Sequence, residues 1–216
     1  MRAKHVLCGL ATLTLLAGGA RSAYADAIPY PNVGTLNPVT YTFTAASTGH
    51  VIAYFAGSTA SFDNQLGLLD NGVLTAAGFG LDNHSSLIGQ SFDFGQVTAG
   101  DSLIFVLRIN SNASTEVFSD ATMNGAYDSP HASTNHIYST PYTATSPVFA
   151  GVPVGTFVSF EDLPFNSSDL NYNDEDFVFT NVSSRTTAVP EPTSLLLLGA
   201  GLLFGARRLR ATRGNA

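Results

Sequence analysis

The chain contains no tryptophan, a single cysteine (Cys8), a single lysine (Lys4) and only 12% charged residues in 216. The missing tryptophan removes the largest flat apolar surface for stacking a sugar or a base. With no cysteine beyond Cys8, neither disulfides nor a cysteine nucleophile can serve the body of the protein. Basic residues are almost confined to the two ends, with Arg2, Lys4 and Arg21 at one and Arg207, Arg208, Arg210 and Arg213 at the other. Between them stand only Arg108 and Arg185, so there is no basic patch to hold nucleic acid or an anionic membrane surface. Also missing are a G-x-S-x-G elbow, a glycine-rich phosphate loop and a dinucleotide fingerprint.

Both ends read as addresses. Arg2 and Lys4 precede an apolar stretch over residues 6–20, and Ala23-Tyr24-Ala25 offers an A-x-A cleavage site. A secretory signal peptide with a helical core is therefore expected over residues 1–25, passed through the secretory translocon and cut by signal peptidase at Ala23 and Ala25. Cys8 lies inside it, so the mature chain has no cysteine. At the other end Val189-Pro190-Glu191-Pro192 leads into an apolar run over residues 195–206 and then Arg207-Arg208-Leu209-Arg210. As a helix, residues 193–206 would rise about 21 Å at about 1.5 Å per residue, short of the roughly 30 Å hydrocarbon core. It would span the inner membrane only with local thinning, its arginines holding the end in the cytoplasm.

This C-terminal string resembles the PEP-CTERM sorting signal of Gram-negative bacteria, with Pro190, Glu191 and Pro192 as the tripeptide and Arg207 and Arg208 as the basic end. The resemblance implies recognition by an exosortase, a membrane cysteine transpeptidase or protease expected to cut near the tripeptide. It implies a body anchored briefly at the inner membrane facing the periplasm, then delivered to the cell surface or outside, where extracellular polysaccharide of a biofilm is an expected partner. The sequence so divides into a signal peptide (1–25), a body (26–182), a polar linker (183–188), the sorting signal with its transmembrane helix (189–210) and a cytoplasmic tail (211–216).

Without its two addresses the protein is strongly acidic, because Arg108 and Arg185 face every acid of the chain except Glu191. Such a field favours divalent cations over anionic partners. Period-two alternation in Val39-Thr40-Tyr41-Thr42-Phe43-Thr44-Ala45 places apolar side chains on one face and threonines on the other, the mark of a half-buried strand. Further strands are expected over residues 50–56, 65–69, 73–76, 91–94, 102–109, 156–160 and 176–182. Asn71-Gly72 is a type I′ hairpin signal. No stretch of the body has a helical period. The expected fold is all-β: an antiparallel β-sandwich, jelly-roll-like, flanked by an N-terminal signal helix and a C-terminal hydrophobic helix. A closed barrel is the alternative. Residues 119–154 read as a long irregular segment draped over the sheets.

The densest polar constellation is Phe160-Glu161-Asp162-Leu163 followed by Asp169-Leu170-Asn171-Tyr172-Asn173-Asp174-Glu175-Asp176-Phe177. The D-x-N-x-N spacing of Asp169, Asn171 and Asn173 suits alternate oxygens curling around Ca2+, with Asp174 or Asp176 closing the shell and Glu161 or Asp162 reaching in. An EF-hand is excluded, since Asp174 stands where its glycine belongs and Thr180 where its last glutamate belongs. The other reading is a solvated turn whose side chains cap their own backbone. The same residues resemble the F-E-D-L and N-D-x-D-F motifs of the domain of unknown function 4114 family, secreted and β-rich, which implies calcium but no reaction. Two further functions fit the residues. One is a carbohydrate- or protein-binding module built on residues 119–154, with Tyr127, Tyr138 and Tyr142. The other is a glycoside hydrolase pairing Glu161 with Asp174 or Asp176. His131 and His136, five apart, lack a third zinc ligand at telling spacing.

Overall fold

The computed structural model describes residues 28–110, 115–146 and 149–188. The expected signal helix with Ala23 and Ala25 lies outside them, as do the hydrophobic helix and Pro190, Glu191, Pro192, Arg207 and Arg208. Among the described residues no helix is long and apolar enough to cross a membrane.

Eleven strands follow in order: β1 (Val39–Ala45), β2 (Gly49–Gly57), β3 (Asn64–Asp70), β4 (Val73–Gly80), β5 (Ser91–Val97), β6 (Ser102–Ile109), β7 (Thr115–Phe118), β8 (Ile137–Tyr142), β9 (Gly155–Phe160), β10 (Glu175–Thr180) and β11 (Val182–Ala188). They form two sheets, one ordered β11-β1-β6-β3-β4 with β7 also on β6, the other β5-β2-β10-β9-β8, every pairing antiparallel. The only helix described is a single 3-10 turn, Ala121–Met123. The expected all-β, antiparallel character is present, as two separate ladders rather than one closed barrel.

Alternation builds the core. In β1, Tyr41, Phe43 and Ala45 turn inward while Thr42 faces water. From the facing sheet, Phe177 and Phe179 of β10 meet them, and Phe105 stacks on Phe179 with ring centroids 3.8 Å apart. The second sheet is covered on its outer face too, by Tyr142, Val152, Ile28 and Phe149 packed over Phe157 and Val178. β9 and β10 are therefore buried almost from end to end, their polar residues included. The β3–β4 hairpin turns at Asn71 (φ 49°) and Gly72 (φ 83°), both in the left-handed region, as type I′ demands.

Three expectations fail on local grounds. Residues 119–154 are not wholly irregular: β8 lies within them, and its Pro141 is tolerated because β8 is an edge strand. The single strand expected over 176–182 is two, broken at Asn181, whose φ of 60° swings the chain from one sheet to the other. The Asn181 side chain fixes that pivot by accepting from Ser47 N at 2.8 Å and donating to Ser47 O at 2.9 Å. Residues 183–188 are not a linker but most of β11, paired along its length with β1 from Val39↔Ala188 to Ala45↔Val182. Their polarity reflects an edge strand with exposed side chains.

Truncating Phe105→Ala at the seam between the sheets should cost about 3–5 kcal/mol. Urea unfolding measures it, and a loss below about 1 kcal/mol would mean that the two sheets do not share this core.

A candidate cation site at the ends of β9 and β10

Antiparallel register gathers the acids. Glu175, the first residue of β10, lies opposite Phe160, the last of β9, so Glu161-Asp162 leave one strand beside the point where Asp174 enters the other. Asp174 N donates to Phe160 O at 3.0 Å, and Asp162 N donates to Asp174 Oδ2 at 2.8 Å. By the two-residue alternation of β10, Glu175 shares the core-facing side with Phe177 and Phe179. Asn64, from β3 in the other sheet, meets it there. Its Nδ2 donates to Asp162 Oδ2 at 2.7 Å and to Glu175 Oε1 at 3.3 Å.

Glu161, Asp162, Glu175 and Asn64 are each 3% exposed or less. Both carboxylate oxygens of Glu161, Oε2 of Glu175 and Oδ1 of Asn64 complete no hydrogen bond. The Ser168 hydroxyl, the Tyr172 backbone and Asp174 all approach Glu161 without closing one of normal geometry. Burial first, and then the neighbouring acids, push every carboxyl upward: Glu161 to about 7, Asp174 to about 9, Glu175 well above its usual range. Asp162 is raised by burial as well, against the opposing hydrogen bond from Asn64. Among the described residues no arginine answers them: Arg108 is taken by Glu116 at 2.8 Å and lies over the Phe79 ring, and Arg185 is exposed on β11 opposite Thr42.

The segment before β8 clamps this corner. The backbone carbonyl and the side chain of His136 both reach the Glu161 backbone: Glu161 N donates to His136 O at 2.9 Å, and His136 Nδ1 lies 3.0 Å from Glu161 O. Nε2 of the same ring lies 2.9 Å from Asp128 Oδ1. Burial would raise Asp128, but hydrogen bonds from Thr134 and His136 prevail and hold it below the usual carboxylate range. Tyr127 Oη donates to Asp162 O at 2.5 Å. The backbone carbonyls of Glu161 and Asp162 are thus occupied from one side, and their side chains face the cluster.

Of the residues singled out from the sequence, Glu161, Asp162 and Asp174 are brought together. Asp169, Asn171 and Asn173 form a self-capped turn on the rim: Asp169 Oδ1 accepts from Asn171 N at 3.3 Å and Asn171 Oδ1 from Asn173 N at 3.1 Å. Thr59 Oγ1 donates to Asn173 Oδ1 at 2.7 Å. Asp169 is near enough to raise Glu161 further. Asp176 projects from the opposite face of β10 and meets the Ser159 hydroxyl. Sequence reasoning passed over Glu175 and Asn64. The first was detectable, because it alternates in phase with Phe177 and Phe179; nothing in the sequence marks the second. Among the described residues, no group of three or more acidic, histidine or cysteine side chains is placed to hold a metal ion as it stands.

A separate cleft of about 250 Å3 opens in the first sheet, where β1 and β7 share one edge of β6, lined in part by Thr40, Thr42, Ser119, Asp120 and Thr122. Tyr142 Oη accepts from Phe149 N at 3.1 Å, so Tyr127 and Tyr142 both serve as internal pins.

The PEP-CTERM protein-sorting motif matches residues 188–211. The chain therefore carries the signal of an exported protein that passes through a membrane-anchored stage and is handled by an exosortase. The match covers the tail alone and lends nothing to the resemblance between the acidic motifs and the domain of unknown function 4114 family. No curated protein and no solved structure matches the chain.

A group whose folded-state pKa is raised contributes stability that is whole below its unfolded value and lost as pH climbs through the folded one. For Glu161 and Asp174 those windows open at 4.5 and 3.8 and close at about 7 and about 9. With divalent cations chelated, the melting temperature should fall steadily from pH 5 to pH 9, and Asp174→Asn should flatten that slope. A profile that is flat, or rises with pH, would contradict the burial of these carboxyls.

Proposed function

We propose that the mature body is a non-enzymatic structural component of the cell surface or extracellular matrix, a jelly-roll-like β-sandwich closed by calcium at the β9–β10 corner. The observation that carries this reading is the buried trio Glu161, Asp162 and Glu175 beside half-buried Asp174, with unpartnered oxygens on Glu161 and Glu175 and, among the described residues, Arg108 held away by Glu116. Burying unpaired carboxylates is strongly unfavourable, and a bound divalent ion supplies the missing charge. Every donor in reach is oxygen, from four carboxyls and the Asn64 amide, with Asp169 and Asn171 on the rim. Such hard donors disfavour zinc, and a flexible, carboxylate-rich shell suits calcium's six to eight ligands better than the strict octahedron of magnesium.

Support for a non-enzymatic role is chemical. A hydrolytic acid pair needs one member ionised beside an open groove. Here burial pushes both Glu161 and Asp174 toward the protonated form, and the cleft in the first sheet does not reach them. The sorting tail supports export through a membrane-anchored stage, and on this reading extracellular polysaccharide is the partner beyond it. The body's motifs resemble those of the domain of unknown function 4114 family, for which no reaction is implied.

Calorimetry of the mature chain with calcium and with chelator tests the ion. At a hundredfold excess over Kd, calcium should add about 2.7 kcal/mol, or roughly 5–10 °C for a domain of this size. An unchanged melting temperature at saturating calcium would refute it. A second reading, a carbohydrate-binding module, is favoured by the cleft of the first sheet, where Thr42, Ser119, Asp120 and Thr122 add polar groups to a largely apolar lining. On a glycan array it predicts specific binding that Thr42→Trp abolishes by filling the cleft; binding that survives this variant would place the ligand elsewhere.

A further inference from the structure

The sorting motif begins where the folded sheet ends. The matched stretch opens at residue 188, and Ala188 is the last residue of β11, opposite Val39 in β1. Val189 alone separates it from Pro190. A protease or transpeptidase takes its substrate as extended chain, commonly by adding it as a strand to its own cleft. β11 has one free edge, but while its other edge is paired to β1 the body of the sheet stands against any cleft that must close around the residues just before Pro190.

β11 also has the character of a detachable strand. It pairs with β1 and nothing else. Residues 183–187 are all exposed, and Val182 alone packs against the core, at the far end from the motif. β1 does not depend on it for burial, because Tyr41, Phe43 and Ala45 are held by the core itself. Edge segments of this kind open locally at far lower cost than the whole fold.

We infer that β11 is a gate on processing: its C-terminal end must unpair from β1 before the sorting enzyme can engage Pro190-Glu191-Pro192, so strand docking and enzyme binding exclude one another. The inference rests on the exosortase reading of the tail. It gives the body a way to affect its own release, since a sheet that holds β11 firmly retains the anchor and one that lets it open surrenders it.

The test locks the strand in the full chain within its own exporting cells. Thr40 and Thr187 are opposite in register, with Thr40 Oγ1 3.2 Å from Thr187 O. Cα atoms of directly opposed antiparallel residues lie about 4.5–5.5 Å apart, inside the range a disulfide spans. Apart from Cys8, in the leader, no other cysteine competes. Processing is followed by the mass shift of the body after a pulse of synthesis. In the Thr40→Cys, Thr187→Cys double variant it should slow at least about tenfold and recover on mild reduction, while Thr187→Cys alone keeps the unmodified rate. A Gly-Ser spacer inserted between Ala188 and Val189 should restore the rate in the oxidised double variant, which also shows that the locked body is exported and folded. Equal rates for locked and unlocked chains, or no rescue by the spacer, would overturn the gate. An unmodified chain that is never processed would overturn the exosortase reading instead.

Discussion

Carboxylates buried at the end of an apolar core, with no arginine paired to them among the described residues, are the constraint around which the rest of this body is arranged. An unpaired charge in such a place is far more unfavourable than an exposed one, and removing one partner of a buried set leaves the remainder worse off. Three parts of the fold converge on the problem. The register of β9 against β10 sets the acids side by side. The opposite sheet contributes the Asn64 amide, the nearest donor to Asp162 and Glu175. The segment before β8 supplies Tyr127 and His136, which occupy the carbonyls of Asp162 and Glu161 and leave their side chains turned to the cluster. The corner therefore joins both sheets to the covering segment.

The buried cluster and the composition describe the same chemistry at two scales. A body with only Arg108 and Arg185 against its acids offers such a corner little positive charge, and burial answers by pushing Glu161, Asp174 and Glu175 toward their protonated forms. Under the calcium reading proposed above, a divalent ion drawn in by the same acidic field would take the place of those protons.

Strands rich in apolar residues were plain in the sequence, and those broken by proline or wholly polar were not. Residues 39–45, by alternation, and 102–109, by an apolar run, are β1 and β6 to the residue, and residues 156–160 lie within β9. β8 was hidden by Pro141, whose missing N–H matters little on an edge. β11 was hidden by its polarity: Ser183, Ser184, Arg185, Thr186 and Thr187 resemble a linker until β1, far away in sequence, is placed alongside. The site was legible in part for the same reason. Acid density and the D-x-N-x-N spacing drew attention to the right loop, but local spacing cannot tell a rim turn that caps itself from side chains that enter the core. Asn64 is a long-range partner, and such partners leave no local pattern.

The pairing of β1 with β11 has one more consequence. Val39 and Ala188 stand opposite each other, so the first strand begins where the last one ends, side by side on a single sheet. Frameworks with adjoining ends tolerate insertion into a host loop and rejoining in a new order. The strands from β1 to β11 are in this sense a portable cassette, to which residues 28–38 add an arm whose Ile28 packs on the second sheet.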